Sequence, residues 1–252
     1  MSLDAPDVTR TPLVRIERLR KEFGALVALE EVSLDVTPGE IVALVGDNGA
    51  GKSTVVNCIA GVYPPTLGQI LLEGQSVHFS SPLDARNQGI EVVFQDLALA
   101  NAQPVYMNMF LGRELVKGRL RRLDREAMAA ETQALLAELD VRIDSPQKTI
   151  RDLSGGQRQG VAIARAVHWA QRLVLMDEPT AALGVAETRR VEELIRRMRE
   201  QGRAILIVSH SLDQVFRLAD RICVLRRGTQ VGIRRPSETT GDEIVAMITG
   251  LR

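Results

Sequence analysis

Cysteine is scarce: the chain has two in 252 residues, Cys58 and Cys223. Neither has metal-ligand spacing, and a lone pair builds no disulfide framework. Both lie in apolar runs, where a thiol behaves as a small hydrophobe. A reducing, intracellular compartment is the expectation. There is no excess of one charge: 32 Lys and Arg balance 32 Asp and Glu. The whole-chain balance therefore gives no case for a nucleic-acid partner. No stretch reaches the roughly 18 apolar residues a spanning helix needs. Residues 1–12 hold two acids and two prolines, and lack the basic leader and apolar core of a secretion signal. The chain is expected to be soluble, held at any membrane by another subunit. There is no convincing internal repeat and no low-complexity tract.

The residues present describe a large α/β core. Apolar residues make up 45% of the chain, with Leu, Ile and Val in short blocks. The length suits one α/β domain with an insertion. Residues 1–12 read as a loose tail, followed by strands at 13–19 and 27–36. The continuous apolar run 41–45 reads as a buried central strand. A glycine-rich turn and a helix at 51–60 follow, stopped by Gly61 and Pro64-Pro65. Short strands are expected at 70–72, 76–79 and 90–94. Residues 96–150 read mainly as helices, with Asp124 capping one that runs to Leu139 and turns Met128, Leu135 and Leu139 to one face. Helices at 157–169, 186–201 and 212–218 then alternate with strands at 173–176 and 204–208. An antiparallel pair at 222–225 and 229–233 and a helix at 242–248 close the chain. This order predicts a mostly parallel central sheet covered on its faces, preceded by a β region. The domain reading is one domain over 13–252, with a helical insertion at about 96–165 and a short β/helix tail from 221 to 252.

The sharpest local signal is Gly46-Asp47-Asn48-Gly49-Ala50-Gly51-Lys52-Ser53. It matches G-x-x-x-x-G-K-[ST] between a strand and a helix, the context of a phosphate-binding loop. Gly46, Gly49 and Gly51 let backbone wrap around phosphate oxygens, with Asn48 in the same turn. Amides at the helix start face the negative charge. Lys52 can reach β- and γ-phosphates, Ser53 can offer its hydroxyl to Mg2+, and Thr54 can meet the α-phosphate. The pattern differs from a dinucleotide fingerprint.

Leu173-Val174-Leu175-Met176-Asp177-Glu178 sets two acids at the end of a strongly apolar strand. Ligands bind at such strand ends. Asp177 is placed to hold Mg2+. Glu178 is the candidate base that orients water beside the γ-phosphate. Read alone, the two acids could simply terminate a strand.

With Leu153-Ser154-Gly155-Gly156-Gln157, followed by Arg158-Gln159-Gly160-Val161, the chain resembles the ATPase subunits of ATP-binding cassette transporters. Phosphate loop, signature and acidic strand stand in the family order over about residues 13–235. The resemblance implies a P-loop NTPase core with an inserted helical subdomain and an N-terminal antiparallel β region. It implies ATP and Mg2+ as ligands and hydrolysis as the activity. It implies head-to-tail pairs, with Ser154, Gly155, Gly156 and Gln157 closing over the ATP on a neighbouring copy. It makes Gln95 the residue that senses Mg2+ and water, His210 the γ-phosphate switch, and Phe23 the adenine stack. His78 and His168 have no such company, and Trp169 reads as packing. Aromatics are only 3% of the chain, so phosphate contacts must dominate nucleotide binding.

One departure stands out. The family usually has an aspartate where this chain has Gly184, in Ala181-Ala182-Leu183-Gly184. Cross-talk between paired sites is therefore expected to differ. The wording Gln95-Asp96-Leu97-Ala98-Leu99 and Val105 to Glu114 is similar to the monosaccharide-import branch, of ribose, xylose or fructose type. That resemblance implies a transmembrane permease docked near 105–114, a periplasmic sugar-binding protein upstream, and a place on the cytoplasmic face of the bacterial inner membrane. An exporter or lipid-transport ATPase, or a soluble cassette ATPase, is the alternative.

Overall fold

The computed structural model describes residues 11–181 and 183–250. Most of the expected 1–12 tail, Ala182 and the last two residues lie outside them. Strands β1 (Val14–Phe23) and β2 (Leu26–Val36) form a long hairpin, and β3 (Ile41–Gly46) leads through the glycine-rich turn into helix α1 (Lys52–Ile59). β4 (Leu67–Leu72), β5 (Gln75–Val77), α2 (Pro82–Asn87) and β6 (Ile90–Val93) follow. The insertion carries α3 (Val105–Met109), a small hairpin of β7 (Val116–Lys117) and β8 (Arg122–Leu123), and α4 (Arg125–Glu138). The core resumes with α5 (Gly155–Trp169), β9 (Leu173–Asp177), α6 (Val185–Glu200), β10 (Ala204–Val208) and α7 (Leu212–Leu218). It ends with β11 (Arg221–Arg226), β12 (Thr229–Arg234) and α8 (Gly241–Thr249).

One sheet runs β5-β4-β1-β2-β12-β11-β3-β10-β9-β6. The five strands from β11 to β6 are parallel. The pairs β1–β2, β1–β4, β4–β5 and β11–β12 are antiparallel, so the whole sheet is mixed. The two regions meet at the single parallel pairing Thr229↔Glu31.

Strand β3 explains how the layers stack. All six of its residues are buried, and successive side chains point to opposite faces. Val42 and Leu44 join the layer of α1, with Val55, Val56 and Ile59. Ala43 and Val45 pack with Val215 of α7 and Ile244 of α8. Ile41 joins the largest cluster, where Ile205, Ile207, Val174 and Met176 carry α5, α6 and the insertion. Among the described residues no helix is long and apolar enough to cross a membrane.

Three expectations shift. β1 runs to Phe23, because the polar stretch 17–23 is held by pairing with β2 and, as far as Arg20, with β4. β5 ends at Val77, and Phe79 leaves the strand to bury itself against the α1 layer. The insertion is less helical than expected before residue 125, where α3 has five residues and β7 and β8 two each. Its loop is ordered by a buried amide. Asn108 is fully buried; its Oδ1 accepts from Ala100 N–H at 2.7 Å, and its Nδ2 donates to Pro104 O at 3.0 Å and Ala100 O at 3.2 Å. Helix α4 starts at its expected cap, with Asp124 accepting from Ala127 N–H at 3.2 Å. Met128 and Leu139 are buried and Leu135 packs beside them.

Asn108→Leu leaves the part-buried Ala100 N–H without its acceptor and removes the amide's bonds to Ala100 O and Pro104 O. It is expected to lower unfolding free energy by about 1–3 kcal/mol, measured by urea denaturation against the parent chain.

Candidate functional site

The phosphate loop is built tightly. A Cβ on Gly46 would lie 2.4 Å from Leu225 O. Gly51 sits at φ 100°, and a Cβ there would lie 2.5 Å from Leu29 Cδ2 and 2.9 Å from Ala28 O. Any larger residue at either position would move backbone or strain it. Inside the loop the Lys52 ammonium donates to Gly46 O at 2.9 Å and Asp47 O at 2.8 Å. Burial pushes the Lys52 pKa down, and the nearby carboxylates of Glu178, Asp177 and Asp47 oppose the shift. The start of α1 has no side-chain cap. Its first-turn amides, with the positive end of the helix dipole, face outward over the loop.

The acids lie beside it. Strands β3, β10 and β9 are neighbours, so the ends of β3 and β9 open at the same edge. Ser53 Oγ donates to Asp177 Oδ2 at 3.3 Å. Burial pushes the Asp177 carboxyl up, and the Ser53 hydroxyl works against it. Glu178 is at φ 53°, an uncommon conformation for a non-glycine residue. Its N–H donates to Val208 O at 2.9 Å, which ties the turn to β10. Its Oε1 pairs with His210 Nε2. Gln95 is exposed two residues beyond β6, whose Val93 lies opposite Met176 of β9. The structure thus brings Lys52, Ser53, Asp177, Glu178 and His210 into one constellation, with Gln95 on the adjoining loop.

Gln214, which drew no notice in the sequence, supports that constellation from behind. It is 2% exposed. Its Oε1 accepts from the Ser209 hydroxyl at 2.8 Å, and its Nε2 donates to Thr180 Oγ1 at 2.8 Å. One amide therefore joins the loop of His210 to the loop of Glu178. Phe23 is exposed at the hairpin tip, edge-on to Tyr63 at 5.2 Å between ring centroids. Lys21 Nζ lies 5.0 Å from the Phe23 ring. The companion Tyr63 was also missed, because nothing in its spacing ties it to Phe23.

The signature turn stands apart. Ser154 caps α5, accepting from Gln157 N–H at 3.2 Å, while Gln157 Oε1 accepts from Ser154 N–H at 3.0 Å. Gln157 also donates to Arg142 O at 2.9 Å. Among the described residues no hydrogen bond or ion pair links 154–157 to the phosphate loop or to Asp177 and Glu178. Gly184 caps α6 with its backbone. Of the segment 105–114, Tyr106, Met109 and Phe110 are buried in the core, and Leu111 and Gly112 are exposed. His168 packs among Phe110 and Trp169, and Trp169 Nε1 donates to Met109 O at 2.8 Å, so both read as structural.

A strand, a phosphate loop carrying Lys52 and Ser53, and an acid at the end of a nearby parallel strand define a P-loop nucleoside triphosphatase. Residues 29–181 match the family model described as "ABC transporter". The chain is 45% identical to the xylose/arabinose import ATP-binding protein of Sulfolobus acidocaldarius, over 94% of each chain. It is 44% identical to the fructose import ATP-binding protein of Rhizobium meliloti, over 97% of this chain and 96% of that one. Its fold is similar to that of the ATP-binding cassette MJ0796, solved as a dimer in a post-hydrolysis state with ADP and Pi. The TM-score is 0.75 at 25% identity, over 88% of this chain and 98% of that one. The chain belongs to the ABC transporter family, as one of its ATP-hydrolysing cassettes.

Gln214→Leu removes the amide between the Glu178 and His210 loops, taking the acceptor from the Ser209 hydroxyl and the donor from Thr180 Oγ1. Urea unfolding should register a loss of about 1–3 kcal/mol, with loss of ATP turnover in the folded variant.

Proposed function

We propose that this chain is the motor of a monosaccharide importer, working as a head-to-tail pair on the cytoplasmic face of a bacterial inner membrane. The observation that carries the paired reading is the separation of two half-sites on one chain. The phosphate loop and the acids sit at one sheet edge, while Ser154 and Gly156 have their partners elsewhere. A second copy supplies the missing half, as the dimeric form of MJ0796 suggests by analogy. The sugar reading rests on near full-length likeness to the two sugar-import cassettes.

The residues fit a Mg2+-bound triphosphate. Lys52 and the uncapped start of α1 suit phosphate oxygens. Ser53 and Asp177 would hold the ion, with Gln95 beside it. Among the described residues no group of three His, Cys, Asp or Glu forms a metal cage. Mg2+ suits such a place, since it takes one or two protein ligands along with phosphate oxygens and water. When bound, it neutralises charge on the phosphates. Phe23 and its neighbour Tyr63 would offer the aromatic face for adenine.

Glu178 then orients water against the γ-phosphorus and accepts its proton. The new P–O bond forms as the bond to ADP breaks, giving ADP and phosphate. His210, paired with Glu178, contacts the γ-phosphate. Closure of the pair drives a permease docked between the 95–101 loop and the exposed Leu111. A periplasmic binding protein delivers the sugar to that permease.

Glu178→Gln keeps the shape and removes the proton acceptor. ATP turnover should fall by about 100-fold or more, while ATP still converts monomer to dimer in gel filtration. Turnover at the parent rate would remove Glu178 from this role. Cells lacking the chain should lose uptake of a labelled pentose or ketohexose; unchanged uptake across a panel of such sugars would argue against the import reading.

A further inference from the structure

One carboxylate spans the starts of two helices. Glu187 Oε1 accepts from the Ser154 hydroxyl at 3.3 Å and from Gly156 N–H at 3.2 Å. Its Oε2 accepts from Gly184 N–H at 3.3 Å. The backbone N–H groups of Gly184 and then Gly156 hold the Glu187 carboxyl below its usual range, partial burial opposes them, and the Ser154 hydroxyl adds to the lowering. The fit is close, because a Cβ on Gly156 would lie 2.8 Å from Glu187 Cγ.

Capping alone does not require this reach. The bond from Gly184 N–H already caps α6. Ser154 and Gln157 already cap α5 reciprocally. The Gly156 N–H and the Ser154 hydroxyl proton are surplus to those caps, and a carboxylate of the same chain takes both. These are donors of the kind an anionic oxygen seeks at a helix start.

We propose that Glu187 is a built-in anion that holds the signature turn in the open subunit and is displaced when the partner copy's triphosphate arrives. The inference rests on the paired reading above, in which Ser154 and Gly156 meet that triphosphate. A carboxylate and a phosphate repel one another at a shared set of donors. Glu187 therefore competes with the γ-phosphate and raises the ATP concentration at which the pair closes. After phosphate leaves, Glu187 retakes the donors and favours opening. It acts as a positioning residue, through Ser154 and Gly156. Its place one turn beyond Gly184 gives this chain a carboxylate near the point where the usual aspartate is missing.

The test uses the full-length chain carrying Glu178→Gln, titrated with Mg-ATP and followed by gel filtration with light scattering. Adding Glu187→Ala should lower the ATP concentration for half-maximal dimer by about three- to tenfold, the scale of losing one exposed charge-assisted contact. Glu187→Gln keeps an acceptor for Gly184 N–H without the charge, and should shift the midpoint the same way by less. ADP affinity, read by a fluorescent analogue, should not change, since ADP lacks the γ-phosphate. A midpoint that stays put or rises in the folded variants overturns the inference and leaves Glu187 a plain cap. Failure of Glu178→Gln itself to dimerise with ATP overturns the paired reading first, and the inference with it.

Discussion

The buried ammonium of Lys52 is the contact on which the site depends. It bridges the carbonyl oxygens of Gly46 and Asp47 and so shapes the turn from strand to helix. A cation in that position is costly, and burial pulls its pKa down. Asp177 and Glu178 lie close enough to oppose that shift, and the two acids owe their place to β9 being one strand removed from β3. The opposite strain falls on Asp177, whose burial favours its neutral form. A site that sets an ammonium and a carboxylate apart from water suits a ligand carrying both signs. A metal-bound triphosphate is such a ligand.

The sheet gathers this local chemistry at one edge. The five parallel strands bring three loops to one edge: the phosphate loop, the loop of Glu178 and the loop of His210. Gln214 locks the last two together from the buried side. The insertion is packed onto the same core through α5 and the cluster around Ile41, Val174 and Met176. The signature turn opens α5, which packs against both the insertion and the core. Outside its own helix the turn meets Arg142 O through Gln157 and Glu187 at the start of α6 through Ser154 and Gly156.

Gly184 takes on a different meaning in this setting. Its N–H meets Glu187, a contact that a side chain at 184 would also permit, whereas Gly156 leaves room for the same carboxylate from the other side. The departure from the family pattern at 184 is therefore accompanied by a carboxylate three residues later, on the first turn of the helix.

The sequence by itself determined the parts whose physics is local. The phosphate loop is contiguous, so Lys52 and Ser53 were legible from spacing. The apolar run before Asp177 marked a buried strand and hence the acids at its end. Asp124 was legible as a cap because a cap speaks to residues within one turn. Strands 204–208 and helix 212–218 had matching limits for the same reason. Tertiary structure alone decided what depends on residues far apart in the chain. Partners from β2 and β4 extended β1 through a polar stretch, and the pairing of β12 with β2 joined the N-terminal β region to the parallel core as one sheet. Gln214, Tyr63 and Glu187 gained their significance only when the fold brought Thr180, Phe23 and the Ser154 turn within hydrogen-bond or ring-contact distance. No periodicity records such meetings, because periodicity describes a side chain's face and not what another segment places against it.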